Sequence, residues 1–266
     1  MINDFFSKQS LLLVFIKKIL GKDPFNYISV ENNSKISYNG TLIKKYVSII
    51  SKGNSTIQIG DNVILENVVI CCESNSTLVI QDNVVIKNTE IRVLNNSKSN
   101  IGVHTIIGSF KMHQTNIYIN SGIFSTANRC KLFLEKIQVR FGGELSIGRY
   151  SGFGFFTEIR CDEKIQIGDY LLCSYHATIY DSNIHSIDPE LRRKNIKNQF
   201  PNGLTDFVKP KTAPVLIGHN VWIGKYAAIL KGCNIHSNSI VGLGAVLSNI
   251  KDSETKNYVC QKPRII

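Results

Sequence analysis

The 266-residue chain is 43% hydrophobic and 19% charged, a composition typical of a folded globular protein that argues against disorder. Its formal net charge of +11 suits an anionic partner such as nucleic acid, a phosphorylated cofactor or an anionic membrane surface. Because the Lys and Arg residues are scattered along the chain and no nucleic-acid-binding module is present, we expect no nucleic acid partner.

The first predicted element is an amphipathic helix over residues 5–20. Its apolar run, Leu11–Ile16, is too short to span a bilayer, and neither the basic region nor the cleavage site of a secretory signal is evident. We therefore expect residues 1–35 to form a helical segment that caps the body of the protein. A weak association with the inner face of a membrane is the alternative.

Hexads of residues dominate the rest of the chain. Beyond residue 214 an aliphatic side chain returns at every sixth position: Ile217, Ile223, Ile229, Ile235, Val241 and Leu247. The same hexads run from Ile147 to Ile165, and shorter pieces are visible back to about residue 57. A related signature recurs at Ile59, Ile80, Ile101 and Ile119, with spacings of 21, 21 and 18 residues. Three hexads therefore form the natural repeating unit.

A period of six fits neither the face of a helix, which repeats at about 3.6 residues, nor an ordinary strand, which repeats at about 2. It suits a three-sided coil in which each side is a short strand followed by a turn. Stacked coils pair their backbone groups and bring the aliphatic residues into one continuous core. The sequence therefore predicts an all-β parallel β-helix over residues 36–251, with Gly and Asn at its corners. The tail 252–266 is the second predicted cap.

One segment interrupts this pattern. The hexads stop after His185 and resume at Ile217, so residues 186–214 are predicted to form a projecting loop inserted into the β-helix. The segment carries Arg192, Arg193, Lys194 and Lys197, followed by several turn-forming residues. We expect the loop to reach toward a neighbouring subunit and to help form the wall of an acceptor site.

The cysteines indicate a reducing compartment. There are seven of them, an odd number with no CxxC motif, and Cys71 and Cys72 are adjacent, a spacing that makes a strained and rare disulfide. We expect reduced thiols, most of them core residues of a cytoplasmic protein.

Over residues 165–251, and more weakly back to residue 57, the hexads resemble those of the hexapeptide-repeat acyltransferases. The stretch 214–224, Pro-Val-Leu-Ile-Gly-His-Asn-Val-Trp-Ile-Gly, is especially similar to the branch that includes the maltose and galactoside acetyltransferases. The resemblance implies a left-handed β-helix and a homotrimer. It also implies transfer of an acetyl group from acetyl-coenzyme A to a hydroxyl of a sugar or of a cell-surface polysaccharide precursor.

Acetyl transfer to a hydroxyl needs a base that removes the hydroxyl proton, and histidine is the usual choice. Of the six histidines, His185 lies where the hexads stop, which is where similar sugar acetyltransferases carry their catalytic histidine. The resemblance therefore implies that His185 is the general base. Asp181 and Asn183, on the same approach, are candidates to orient the imidazole or to bind the acceptor.

In the family, the pantetheine arm of coenzyme A lies along the C-terminal coils between neighbouring subunits. The matching positions here are Trp222, Gly224, Lys225, Gly242, Leu243, Gly244, Ala245 and Ser248. The family often has a Lys directly after the residue that matches Ser248, and its tail usually contains Gly-Asn-Pro-Ala. This chain departs at both places, so Lys251 and Arg264 become candidates to contact the phosphates.

Three alternatives remain open. One is N-acetylation of an amino sugar nucleotide, and another is a non-catalytic β-helix used for binding or assembly. The third is a zinc carbonic anhydrase on the same helix, which needs three histidines, two of them about five residues apart. Since His176 and His185 are nine residues apart, as are His104 and His113, we expect no metal site.

Overall fold

Short strands stack in parallel along the whole of the chain that this computed structural model describes, which is residues 26–31, 33–108, 114–199, 208–251 and 254–258. The pairing of the strands divides them into three columns, which we call face 1, face 2 and face 3 in the order in which one coil visits them. The predicted helix at 5–20 lies outside the described residues.

Three long strands bend from face 1 to face 2: β3 (Leu42–Lys52), β5 (Val63–Glu73) and β7 (Val85–Leu94). Face 1 continues with β9 (Ile106–Ile107), β12 (Lys131–Leu132), β15 (Gly152–Phe153), β18 (Leu172–Cys173), β21 (Trp222–Ile223), β24 (Ile240–Val241) and β26 (Asn257–Tyr258). Face 2 also contains β1 (Asn26–Val30), β10 (Thr115–Asn120), β13 (Lys136–Arg140), β16 (Glu158–Cys161), β19 (Thr178–Tyr180), β22 (Ala228–Ile229) and β25 (Val246–Leu247). Face 3 consists of β2 (Lys35–Tyr38), β4 (Thr56–Ile59), β6 (Thr77–Ile80), β8 (Lys98–Ile101), β11 (Ile123–Thr126), β14 (Glu144–Ile147), β17 (Lys164–Ile167), β20 (Val215–Ile217) and β23 (Asn234–Ile235).

The hexads form the core as predicted. Ile217, Ile223, Ile229 and Ile235 are all buried. Each inward side chain lies on its equivalent in the next coil, as Ile217 does on Ile235. Complete burial of one such side chain contributes roughly 1.5–3 kcal/mol, and the repeated contact makes the core continuous. The predicted all-β parallel β-helix of hexapeptide repeats is confirmed.

The corners use the left-handed backbone conformation that the sequence predicted. Asn62 and Asn83, one coil apart, have φ angles of 54° and 58°. Asparagine tolerates this conformation better than most residues, and it can pair with the asparagine of the next coil, as Asn67 and Asn88 do at 2.7 Å. Aromatic rings occupy some corners instead.

The ends of the stack lie further out than predicted. Strand β1 pairs in parallel with Val47–Ser51 of β3, so the β-helix includes residues 26–30, upstream of residue 36. At the other end, β26 pairs with β24, so the coils continue beyond residue 251 into the predicted tail. Within the described residues the six cysteines are free and buried, as expected for core thiols. No helix in this part of the chain is long and apolar enough to cross a membrane.

The inserted segment 186–214 is only partly a loop. It contains one helix, α1 (Pro189–Gln199), whose first turn explains its place in the sequence. Asp188 accepts the backbone N–H groups of Glu190 and Leu191 at 2.8 and 3.3 Å, and Pro189 occupies the first helical position, where no N–H is needed. The prediction of a loop missed this cap, and residues 200–207 lie outside the described part.

Candidate active site

The stack opens where face 2 meets face 3. Strand β19 ends at Tyr180, and the next strand of face 3, β20, begins only at Val215. Residues 181–185, which we call the exit segment, are held against the returning chain. Asn183 N–H donates to the carbonyl of Lys211 at 3.1 Å, and Ala213 N–H donates to that of Asp181 at 2.9 Å. These backbone hydrogen bonds hold the start and the end of the insertion together.

Asp181 is a structural residue of the exit segment. Its side chain is completely buried, and its carboxylate accepts the backbone N–H groups of Asp162, Glu163 and Lys164 at 2.7–2.8 Å. Burial raises the pKa of Asp181, and the N–H groups oppose that effect. Because no part of the carboxylate is exposed, the expectation that Asp181 binds an acceptor is corrected: it stabilises the turn that follows β16.

His185 ends the exit segment with an exposed side chain. Its backbone N–H donates to the carbonyl of Asn183 at 2.7 Å, which closes a three-residue turn around Ile184. Ile184 has a φ of 67°. A γ-turn with positive φ is rare and strained, above all for a β-branched residue. Asn183 is half-buried beside it, with both backbone polar groups used.

A buried ion pair beneath the exit segment was missed by the sequence reasoning. Asp162 is fully buried and accepts two hydrogen bonds from the guanidinium of Arg140, at 2.9 and 2.8 Å. It also accepts the hydroxyl proton of Ser182 at 2.8 Å. The three residues form one column along the corner between face 2 and face 3, with Asp162 in the middle. Only the register of the coils places them together.

The residues predicted to hold the donor form one compact group and several outliers. Residues 222–225 and 242–245 lie on adjacent coils at the corner between face 1 and face 2. Gly224 N–H donates to the carbonyl of Val241 at 2.7 Å, and Gly244 N–H donates to that of Lys225 at 2.9 Å. A Cβ added at Gly224 would lie 2.7 Å from the Leu243 nitrogen, so this close approach requires glycine.

Exposure separates the members of this group. Trp222 and Leu243 are 49% and 65% exposed and are free to pack against another molecule. Ala245, in contrast, is buried, and only its backbone can face a ligand. We call the exposed part, residues 222–225 with 242–244, the tryptophan corner.

Ser248 and Lys251 lie elsewhere. Ser248 follows the last residue of β25 as Tyr180 follows Ile179, and β19, β22 and β25 are in register. Ser248 is therefore two coils from the exit segment, on the far side of face 2 from Trp222. Lys251 pairs with Asn234 beside face 3, and Arg264 lies outside the described residues. In one chain, His185 and the tryptophan corner are on opposite edges of face 2.

An apolar column runs along face 1 next to the tryptophan corner. Leu172, Trp222 and Ile240 are in register on β18, β21 and β24, and all three are exposed. Contiguous exposed apolar side chains of this kind are typical of an interaction surface. Nothing in the described chain covers them.

Two further features, a stacked histidine and an open groove, lie apart from the exit segment. His176 is stacked between the rings of Phe156 and Tyr226, with centroids 4.6 and 4.9 Å apart, which is a packing role. An open groove of about 660 Å³ on face 3 is lined by both polar and aliphatic residues, with His219 and His236 among them, and does not include His185. Among the described residues, no group of three or more His, Cys, Asp or Glu side chains could hold a metal ion.

Residues 214–249 match the bacterial transferase hexapeptide family, which is described by six repeats. This confirms the resemblance to hexapeptide-repeat transferases over the C-terminal coils. The chain is also 27% identical over 126 residues to the galactoside O-acetyltransferase of Escherichia coli strain K12. That match covers 47% of this chain and 55% of the relative, so the chain spans about half the length of the curated relative it matches.

Two solved structures are similar to the chain at lower levels. One is the polySia specific acetyltransferase NeuO, with a TM-score of 0.40 and 18% identity, covering 87% of this chain and 79% of that one. The other is the polysialic acid O-acetyltransferase OatWY, with a TM-score of 0.43 and 21% identity, covering 88% and 82%.

The structural role of Asp181 predicts a loss of stability in Asp181→Asn. The NH₂ group of the asparagine cannot accept a hydrogen bond, so at least one of the three backbone N–H groups would lose its acceptor. A buried donor without an acceptor costs about 1–3 kcal/mol. The urea midpoint of unfolding should fall accordingly. Asp188→Asn is the matched control, because Asn caps a helix about as well as Asp. Equal midpoints for the two variants would contradict the assignment.

Proposed function

We propose that the protein is an acetyltransferase that moves an acetyl group from acetyl-coenzyme A to a hydroxyl of a sugar or of a cell-surface polysaccharide precursor. The observation that carries the proposal is His185, an exposed imidazole held by a strained turn where a coil of hexapeptide repeats opens. The similarity to a galactoside O-acetyltransferase supports the reaction class.

In the proposed reaction His185 is the general base. Its imidazole takes the proton of the acceptor hydroxyl while the hydroxyl oxygen attacks the thioester carbonyl. The tetrahedral intermediate then expels the thiolate of coenzyme A, which receives a proton, and the acetyl ester remains on the sugar. A backbone N–H directed at the developing oxyanion would lower the barrier further.

We propose that the donor lies along the tryptophan corner. The glycines there leave the backbone open to the pantetheine arm, and the exposed faces of Trp222 and Leu243 offer apolar contact. Lys225, whose ammonium lies 4.8 Å from the centre of the Tyr226 ring, is available for a phosphate, whereas Lys251 lies beside face 3. The net charge of +11 favours approach of the polyanionic coenzyme.

A trimer would complete the site. Because His185 and the tryptophan corner lie on opposite edges of face 2, one chain does not bring base and donor together. A threefold assembly packs one edge of each chain against a different edge of its neighbour, and the apolar column of Leu172, Trp222 and Ile240 is a suitable contact surface. We therefore propose a homotrimer with one site at each interface.

Helix α1 is the proposed wall of the acceptor site. It carries Arg192, Arg193, Lys194 and Lys197, against one acidic residue, Glu190. Arg192 donates to the carbonyls of Ser186 and Ile187 at 3.0 Å and so ties the helix to the residues that follow His185. The positive charge suits an anionic glycan. The free, buried thiols support a cytoplasmic location, where acetyl-coenzyme A is available.

His185→Ala should lower kcat by about a hundred- to ten-thousand-fold, the usual contribution of a positioned base, and leave the affinity for coenzyme A unchanged. The rate is measured as release of free thiol from acetyl-coenzyme A in the presence of an oligosaccharide acceptor. His104→Asn, a corner histidine on a distant coil with φ of 57°, is the control and should keep full activity. A His185→Ala enzyme with near-normal turnover would disprove the role.

Coenzyme A should quench or shift the fluorescence of Trp222, which is the only tryptophan of the chain. The affinity should fall as salt rises, because part of the attraction is between charges. Leu243→Arg should weaken binding, since it places a long charged side chain in the proposed path of the arm. Ile123→Arg, a substitution at another exposed apolar position, on face 3, should not. Identical affinities for the two variants would exclude this location.

Sedimentation should give three times the mass of the chain. Ile240→Asp places a charge at one end of the apolar column and should dissociate the trimer and abolish activity together, because the site needs two chains. Ile123→Asp, outside the column, should leave both unchanged. A wild-type monomer with full activity would contradict the proposed assembly.

A further inference from the structure

We propose that Arg140, Asp162 and Ser182 are positioning residues for His185: they hold the strained turn at Ile184 in place and so set the direction of the catalytic imidazole. This inference rests on the proposed role of His185. Ser182 accepts the backbone N–H of Ile184, the residue before His185, so the action of the three residues passes through the backbone.

The donor and the acceptor of each hydrogen bond in the column can be assigned. The carboxylate of Asp162 can only accept, so the hydroxyl of Ser182 must donate to it. A lone pair of the same hydroxyl is then turned toward Ile184, whose backbone N–H donates to it at 3.3 Å. The chain therefore runs from the Ile184 N–H through the Ser182 hydroxyl to the Asp162 carboxylate, which Arg140 neutralises from the other side.

The turn at Ile184 needs such support. A β-branched residue with φ of 67° costs about 1–3 kcal/mol and persists only when its surroundings impose it. At the same corner of other coils the left-handed residues include Asn96, Gly232 and Asn249, which adopt this conformation with little or no cost, and also Ser121 and Phe141. Among the described residues, Ile184 is the only β-branched one with a positive φ. Without the hydrogen bond from its N–H to Ser182, the backbone at Ile184 would relax to a less strained conformation, and His185 would move with it.

The buried ion pair is better explained by fixing the conformation of the exit segment than by adding to the stability of the fold. Burying a carboxylate and a guanidinium costs desolvation energy that their attraction only roughly repays. The pair does, however, provide a charged acceptor at one fixed point below the exit segment, and hydrogen bonds to an ionised acceptor are about twice as strong as neutral ones. Such an anchor holds the geometry of Ser182 more tightly than a neutral partner would.

Ser182→Ala tests the inference with a small change. The variant keeps Asp162 paired with Arg140 and removes the hydroxyl that links the Ile184 N–H to the Asp162 carboxylate. We expect kcat to fall by about ten- to a hundred-fold, as expected for a misplacement of about 1 Å, with the KM for acetyl-coenzyme A unchanged. Ser55→Ala is the matched control, a buried serine whose hydroxyl lies 2.9 and 2.7 Å from the backbone carbonyl oxygens of Lys52 and Cys72, far from the exit segment. Its kcat should equal that of the wild type.

A second measurement is independent of activity. In protein labelled with ¹⁵N-histidine, the imidazole signal of His185, identified by its loss in His185→Ala, should shift or broaden in Ser182→Ala, while the other five histidine signals stay unchanged. If the wild type transferred no acetyl group, the proposed function would fail, yet this signal would still report whether Ser182 positions His185. An unchanged His185 signal in Ser182→Ala, or a kcat equal to that of Ser55→Ala in an active enzyme, would overturn the inference.

Discussion

Parallel register between coils is the constraint on which the rest of the structure depends. Every residue lies about 4.8 Å from its equivalent in the next coil, so its neighbours are determined by position in the hexad and not by proximity in sequence. This is why Ile217 packs on Ile235 and why Asn67 pairs with Asn88. It is also why Gly224 can lie directly on Gly242 and Leu243, which opens the backbone at the tryptophan corner.

The regular stacking of coils is interrupted at the exit segment, and side chains there replace the contacts that the next coil would have made. The chain leaves the stack at a point where the next coil would have satisfied its backbone groups and filled its core. Asp181 instead occupies the inward position beside Cys161 and binds three backbone N–H groups of the coil before it. Asp162 and Arg140 fill the neighbouring position of the corner. Two buried carboxylates thus stabilise the opening from which His185 projects.

The fold was predictable from the sequence because the hexads repeat many times and each repeat adds to the same signal. The position of His185 was predictable because the hexads stop there. The role of Asp181 was not read correctly, although an acidic residue at a hexad position that is otherwise apolar, as in Val139 and Cys161, was a visible signal. The column of Arg140, Asp162 and Ser182 carries no sequence signal, because its members meet only through the register of three coils. The cap of helix α1, Asp188 followed by Pro189, was a local signal of a helix in the sequence.

The proposed site is divided between two edges of face 2, and this division is the central claim. Subunit complementation tests it most directly: His185→Ala and Leu243→Arg chains, each with a different tag, are assembled together and the mixed trimers are purified on both tags. If base and donor come from neighbouring chains, some interfaces will combine an intact His185 with an intact tryptophan corner. Every trimer that contains both kinds of chain has one such interface among its three, so the activity of the purified mixed trimers should return to about one third of the wild-type level from two inactive parents. Mixed trimers that remain as inactive as their parents would contradict the account.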